Sequence, residues 1–185
     1  STGQAGHAKI VADQFAEYFR KCTVMENGKV KAFCYQVGDG GEDHAYWGSP
    51  EAQPGPRQAL FATSSNPCTD IVGLSAASLA ANYVNFGNTE DLTYAKALYE
   101  FAKTNNKAVG SEGIGDFYIS KSWEDDIAFA AAWLYKATGD SQYKSDVDEY
   151  RNIVKAASGN PYWDETMNSW SYCWNGVWPG VNALM

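Results

Sequence analysis

The chain of 185 residues, 45% hydrophobic and 19% charged, is long enough for one globular domain with a real core. Its net charge of −8 argues against a nucleic-acid partner, because phosphate binding needs a basic patch. No apolar run approaches a membrane span, and the first residues carry no charged-then-apolar signal pattern. In chain order, GHAKIVADQFAEYFRKC spaces Ile10, Val11, Phe15, Tyr18, Phe19 and Cys22 by three and four residues, which predicts an amphipathic helix. GKVKAFCYQV follows with a weak strand signal, enough for one short strand or ribbon. Residues 35–51, YQVGDGGEDHAYWGSPE, contain Pro50 and show neither period, so a loop is expected. Loops carry function when a rigid scaffold holds them. TDIVGLSAASLAANYVNFG returns to helical spacing at Val72, Ala76, Leu79, Ala80 and Tyr83, with Gly87 placed to end the helix. Thr89 can cap the next helix, EDLTYAKALYEFAKTN, where Leu92, Ala95, Leu98, Tyr99 and Ala102 share a face. SWEDDIAFAAAWLYKATGD opens with Ser122 three residues before Asp125, an acceptable capping box, and closes at Gly139. Asp140 then caps SQYKSDVDEYRNIVKAA.

Two of these pairs resemble each other. AANYVNFGNTEDLTYAKALYEFA and AAAWLYKATGDSQYKSDVDEYRN align on Gly87 and Gly139, roughly fifty residues apart, a period of stacked supersecondary units. Each unit is an αα-hairpin, and small Ala-rich inner helices let hairpins close into a ring. The fold class is therefore all-α, helical hairpins with long loops on one side. The loops 26–67, 107–121 and 159–172 hold Asp43, His44 and Trp47, then Phe117 and Tyr118, then Trp163 and Trp170. Their convergence would make an aromatic-lined cleft with a few polar groups. Seven Trp and twelve Tyr suit sugar rings, and equally suit a helical core. Cys22, Cys34, Cys68 and Cys173 lack CxxC spacing, and His7 and His44 are the only histidines, which disfavours zinc and iron–sulfur sites. Cys22 and Cys34 could close a short loop or remain free thiols; spacing does not decide. Gly38, Gly40 and Gly41 lack the strand–GxGxxG–helix context of a dinucleotide site and read as turn glycines.

At this point four segments resemble glycoside hydrolase family 9, the cellulase family with an (α/α)6 barrel. YQVGDGGEDHAYWGSPE is similar to the family's VGDG…DH.YWG.PE loop. TSSNPCTDIVGLSAASLAANYVNF resembles its TS.PG(S/T)…AAALAA…VF helix, and DFYISKSWEDDIAFAAAWLYKATGD its FY.S…DE..WAA.WLY.ATGD segment. WSYCWNGVWPGVNALM is similar to its W.H.WD…AG…LA helix start. The resemblance implies a partial catalytic domain over residues 1–185, about half of a twelve-helix barrel. Its open face is then expected to expose apolar side chains from Val177 to Met185. The family's Asp-rich motif holding the catalytic base, and its C-terminal catalytic Glu, have no match here, so no catalytic residue is assigned. Members are inverting enzymes whose two carboxyl groups flank the sugar, roughly 6.5–9.5 Å apart. Asp125 and Asp126 cannot replace that pair, since adjacent helical residues point about 100° apart.

The resemblance also implies roles for individual residues. His44, Trp47, Phe117, Tyr118 and Trp170 match positions that line the sugar cleft. The alternative for His44 is a loop anchor bonded to Asp43, with Trp47 packed beneath it. The family's tryptophan platform beside Tyr118 has no counterpart; Ser120 and Lys121 stand nearby. Asp125 and Asp126 match a pair that holds a structural calcium, with Ser122 and, where the family has Asp, Asn175. Calcium takes about six to eight oxygens, so the neutral Asn weakens that set, and a helix dipole would also favour both aspartates. The implied function is part of a cellulase-type hydrolase acting on extracellular β-1,4-glucan, its partners the glucan and the remainder of its catalytic domain. A non-catalytic carbohydrate-binding helical module is the alternative. An interaction scaffold is a third, which would not need Trp47, Tyr118 and Trp170 to converge.

Overall fold

The structure, a computed structural model, describes residues 3–105, 108, 110, 117–159 and 171–185. Helix α1 spans Ala5–Cys22 and runs directly into strand β1, Thr23–Glu26. Strand β2, Lys29–Val37, returns antiparallel to it through Asn27 and Gly28, both at positive φ (51° and 75°). That Asn-Gly pair is the turn chemistry a two-residue hairpin demands. Strand β3, Ala59–Ala62, adds to the other edge of β2, giving an antiparallel sheet in the order β1-β2-β3. The all-α expectation thus gains a small sheet, larger than the single ribbon the sequence predicts.

The expected loop at residues 35–51 is also more ordered than its sequence indicates. It begins with the end of β2 and contains α2, Gly40–Ala45, and a single 3-10 turn, Pro50–Ala52. Asp39 makes α2 possible: its carboxylate accepts from the Gly41 and Glu42 amides, supplying the missing first-turn partners.

Four long helices form two hairpins, α3 (Thr69–Phe86) with α4 (Thr89–Thr104), and α5 (Glu124–Thr138) with α6 (Ser141–Ser158). Gly87 and Gly139 end the first helix of each pair in the left-handed conformation, at φ 79° and 73°. The following caps are Asn88, not the expected Thr89, and Asp140, as expected. The capping box at Ser122 does not form: its hydroxyl donates to the Asp125 carboxylate, and Trp123 occupies the cap position.

Helices α3 and α5 pack side by side at the centre, with α4 and α6 outside them. Their contact is close because Gly73 lies against α5, where a Cβ would come within 3.1 Å of the Asp126 and Ile127 backbone. Ala76, Leu79 and Ala80 of α3 and Ile127, Ala131 and Leu134 of α5 are fully buried there. Polar ties cross the apolar layers. Arg20 of α1 pairs with the buried Asp91 of α4, which also accepts from Asn82 of α3 at 2.6 Å. Helix α7, Trp178–Leu184, lies on α5 and buries Val177, Trp178 and Val181. The expected exposure of apolar side chains from Val177 to Met185 therefore holds only at the end of the segment, where Met185 is exposed, and fails at Val177, Trp178 and Val181. The exposed apolar stripe lies on α1 instead, at Ile10, Phe15 and Tyr18.

Candidate active-site cleft

A cleft of about 400 Å³ lies where α2, the N-terminal ends of α3 and α5, residues 117–120 and Trp174 meet. Its first wall is α2. His44 sits in the last turn and donates from Nδ1 to the Gly40 carbonyl at 2.8 Å, because a carbonyl can only accept. The imidazole stacks on Phe117, with ring centroids 3.7 Å apart and planes 5° from parallel. Two segments far apart in sequence are thus joined by one ring pair.

Asp43 holds this wall in place. Its two oxygens accept from Arg57 at 2.9 and 3.1 Å, a bidentate fork, and one also accepts from Gln53 at 2.8 Å. The Arg57 hydrogen bonds, and then that of Gln53, hold the Asp43 carboxyl below the ordinary carboxylate range. Arg57 also donates to the Val37 carbonyl at 3.3 Å, closing the segment on the end of β2. His44 is therefore not anchored by a bond to Asp43, and Trp47 does not pack beneath it. Trp47 is fully exposed and lies outside the cleft lining.

The second wall is aromatic. Tyr118 occupies a left-handed backbone conformation, φ 54°, and is 74% exposed. Its ring meets Trp174 edge to face, 5.5 Å between centroids at 88°. Trp170 and Trp163 lie outside the described residues.

The floor is acidic. Asp70 accepts from the Gly110 amide at 3.0 Å and from the Cys68 thiol at 3.5 Å. Burial raises the Asp70 carboxyl, and no basic side chain pairs with it or with Asp126 among the described residues. Asp126 is pushed up to about 9 by burial, reinforced by the negative charges of Asp125, Asp70 and Glu124. Asp125 turns the other way. Its oxygens accept from Ser122 at 2.8 Å and from the Val177 amide at 2.9 Å. Asn175 accepts from the Lys121 amide at 2.9 Å, tying the second wall to the turn before α7. Ser122, Asp125 and Asn175 thus join neighbouring segments, while Asp126 faces the cleft.

The sequence reading missed Arg57, Asp70 and Trp174. Trp174 stands in the same short segment as Trp170, and Asp70 opens an Ala-rich helix. Arg57 carries no spacing signal at all.

The family model for Glycosyl hydrolase family 9 matches residues 1–185. Endoglucanase 14 of rice (Oryza sativa subsp. japonica) is 37% identical, the match covering 100% of this chain and 34% of that protein. Endoglucanase 18 of Arabidopsis thaliana is 38% identical over 81% of this chain and 30% of its own length. Among solved structures, the catalytic domain of Clostridium thermocellum CelT superposes with a TM-score of 0.87 at 41% identity, covering 99% of this chain and 37% of that one. The cellulase Cel9M of C. cellulolyticum in complex with cellobiose gives 0.78 at 35% identity, over 93% and 39%. The chain therefore spans roughly a third of the relatives it matches. With this match across its whole length, helical hairpins in common and a cleft at their loop ends, the chain belongs to glycoside hydrolase family 9.

Proposed function

We propose that the chain is part of a cellulase-type enzyme acting on β-1,4-glucan outside the cell, and that its residues supply sugar subsites and not catalytic carboxylates. The observation that carries this reading is the His44–Phe117 stack on the wall of the cleft. With Nδ1 committed to Gly40, the other imidazole nitrogen is an acceptor for a sugar hydroxyl. Phe117 and Tyr118 add apolar surface for the ring face of a glucosyl unit. Trp47, with its exposed indole, and Trp170 are read as contacts for a longer glucan. A cellulase structure that contains cellobiose belongs to a protein 35% identical to this chain, which supports the substrate class.

A structural calcium is the second part of the proposal. Ser122, Asp125, Asp126 and Asn175 offer only oxygen donors, the kind calcium prefers. Asp126 makes no hydrogen bond among the described residues, and buried beside two other acids it lacks a compensating charge. These donors fit a hard cation in kind, although no cluster of three acidic, His or Cys side chains suited to a metal occurs among the described residues. Bound beside Ser122, Asp125 and Asn175, calcium would hold the start of α5 to the Asn175 turn, and Asp126, which faces the cleft, would have to turn and lose its proton to join them.

The test is titration of the 185-residue chain with cellotetraose, followed by nuclear magnetic resonance. Wild type binds, and His44→Ala weakens binding by about 2–10-fold, the worth of one hydrogen bond. Absence of any cellotetraose-dependent shift at the cleft overturns the subsite reading.

A further inference from the structure

We propose that Trp174 is the stacking platform of a glucosyl subsite, with Tyr118 as the other side of the same corner. The inference rests on the sugar-cleft reading above and names the residue that selects the sugar. Trp174 lines the same cleft as His44 and Tyr118, yet its side chain is 55% exposed. A large indole left half in water on a concave wall retains apolar surface for a ligand to cover. Its edge-to-face contact with Tyr118, at 88°, sets two ring planes at right angles and so forms a corner. A ring on one of those planes meets the other at its rim.

The corner is set before any ligand arrives. Cys173 and Gly176 exchange backbone hydrogen bonds of 3.1 Å, closing the turn that carries Trp174. Asn175 is tied to the Lys121 amide, and the Val177 amide is held by Asp125. Tyr118 keeps a left-handed backbone, a strained state that persists when its surroundings over-determine it. Binding to such a corner does not require ordering of the loops, which is where recognition gains affinity.

The sugar class follows from ring shape. A β-linked glucosyl unit carries its substituents equatorially, so both faces are flat arrays of C–H bonds that can lie on an indole. In a β-1,4-linked galactosyl chain the C4 oxygen that carries the linkage is axial, so the chain bends at every linkage and its rings cannot lie flat on the indole while following the cleft.

The experiment follows the indole N–H resonance of Trp174, assigned by its loss in Trp174→Phe, while cellotetraose or a β-1,4-galacto-oligosaccharide of equal length is added. The Trp174 signal is expected to move with cellotetraose and to stay fixed with the galacto-oligosaccharide at the same concentration. Trp174→Leu is expected to lower cellotetraose affinity roughly tenfold, and Trp174→Phe, which keeps a flat ring, to recover most of it. Circular dichroism identifies any variant that fails to fold; the wild-type resonance alone then decides. If His44 signals respond to cellotetraose while Trp174 stays still, this inference is overturned and the sugar cleft stands. If neither responds, both fall. Equal response to both sugars removes the selectivity.

Discussion

At the scale of single residues, the cleft wall depends on a fork and on the glycine that makes room for it. Arg57 reaches Asp43 through two hydrogen bonds and the Val37 carbonyl through a third. Gly38 lies beneath the guanidinium at φ 87°, and a Cβ there would sit 2.6 Å from Arg57 Nη2. Gly38→Ala therefore carries two penalties, a left-handed backbone on a residue with a Cβ and a displaced guanidinium. It is expected to lower unfolding free energy by about 1–2 kcal/mol, read as a lower urea midpoint with unchanged slope. An unchanged midpoint would mean that the fork gives way at no cost. Residues 35–51 were legible as a place where chemistry gathers, from their glycines, acids and aromatics in one run. The fork was not legible, because Arg57 stands fourteen residues from Asp43 across a turn and ion pairing there has no sequence period. The pairing of His44 with Phe117 was reachable only through the family resemblance, since both residues by themselves look like ordinary loop side chains.

At the scale of elements, the helices were legible because burial on one face imposes a spacing of three and four residues. Gly87 and Gly139 marked their ends because a left-handed cap excludes most other residues. The strands were less so. Asn27-Gly28 was a readable hairpin turn, but β3 is four residues long and its pairing partner lies beyond an intervening helix. Side-chain ties between helices had no local signature either, and one of them gives the hairpin pair a pH dependence. Asp146 of α6 accepts from Tyr99 at 2.6 Å and from Lys103 at 2.7 and 2.8 Å, both on α4, and from Gln142 at 2.8 Å. Burial alone would raise its carboxyl, but the hydrogen bonds from Lys103, Tyr99 and Gln142 outweigh it and leave the group below its ordinary value of 3.8. A depressed carboxyl stabilises the fold above the unfolded value and loses that contribution as pH falls through the folded one. Asp146→Asn keeps the shape and removes the charge, so it is expected to lower the Tm by roughly 3–8 °C at pH 7. The gap to wild type should narrow as pH falls below the unfolded value of 3.8 and close below the lower value of the folded carboxyl, where wild-type Asp146 is neutral too. Thermal scans of both proteins from pH 7 to pH 2.5 check this, and a gap of constant size across that range would rule out the charge as its source.

At the scale of the whole molecule, the question is whether a cleft assembled from this chain can cut the glucan that it is proposed to hold. Inverting hydrolysis needs one protonated carboxyl at the leaving oxygen and one charged carboxylate that activates water on the opposite face. Among the described residues three carboxyl groups line the cleft: Asp43, Asp70 and Asp126. Asp126, pushed up to about 9, remains protonated at neutral pH and has the state of an acid. Its neighbour Asp70 is also raised by burial and lies on the same floor, so the two do not flank a sugar from opposite sides. Asp43 is charged, but both its oxygens are engaged by Arg57 and its carboxyl is held low, which makes it a weak base. The described residues of the cleft therefore give a polar floor and aromatic walls without a poised base among them, an arrangement suited to holding the chain of sugars. A positioned acid or base contributes about 10²–10⁴-fold each. The 185-residue chain is accordingly expected to release reducing sugar from a soluble β-1,4-glucan at least about 100-fold more slowly than an intact family 9 endoglucanase. Asp70→Asn and Asp126→Asn should each leave that residual rate unchanged, and Asp43→Asn, which opens the Arg57 fork and loosens the wall, should lower it without abolishing it. A rate near that of the intact enzyme, abolished by any one of these three substitutions, would show that the cleft floor itself supplies the missing carboxylate.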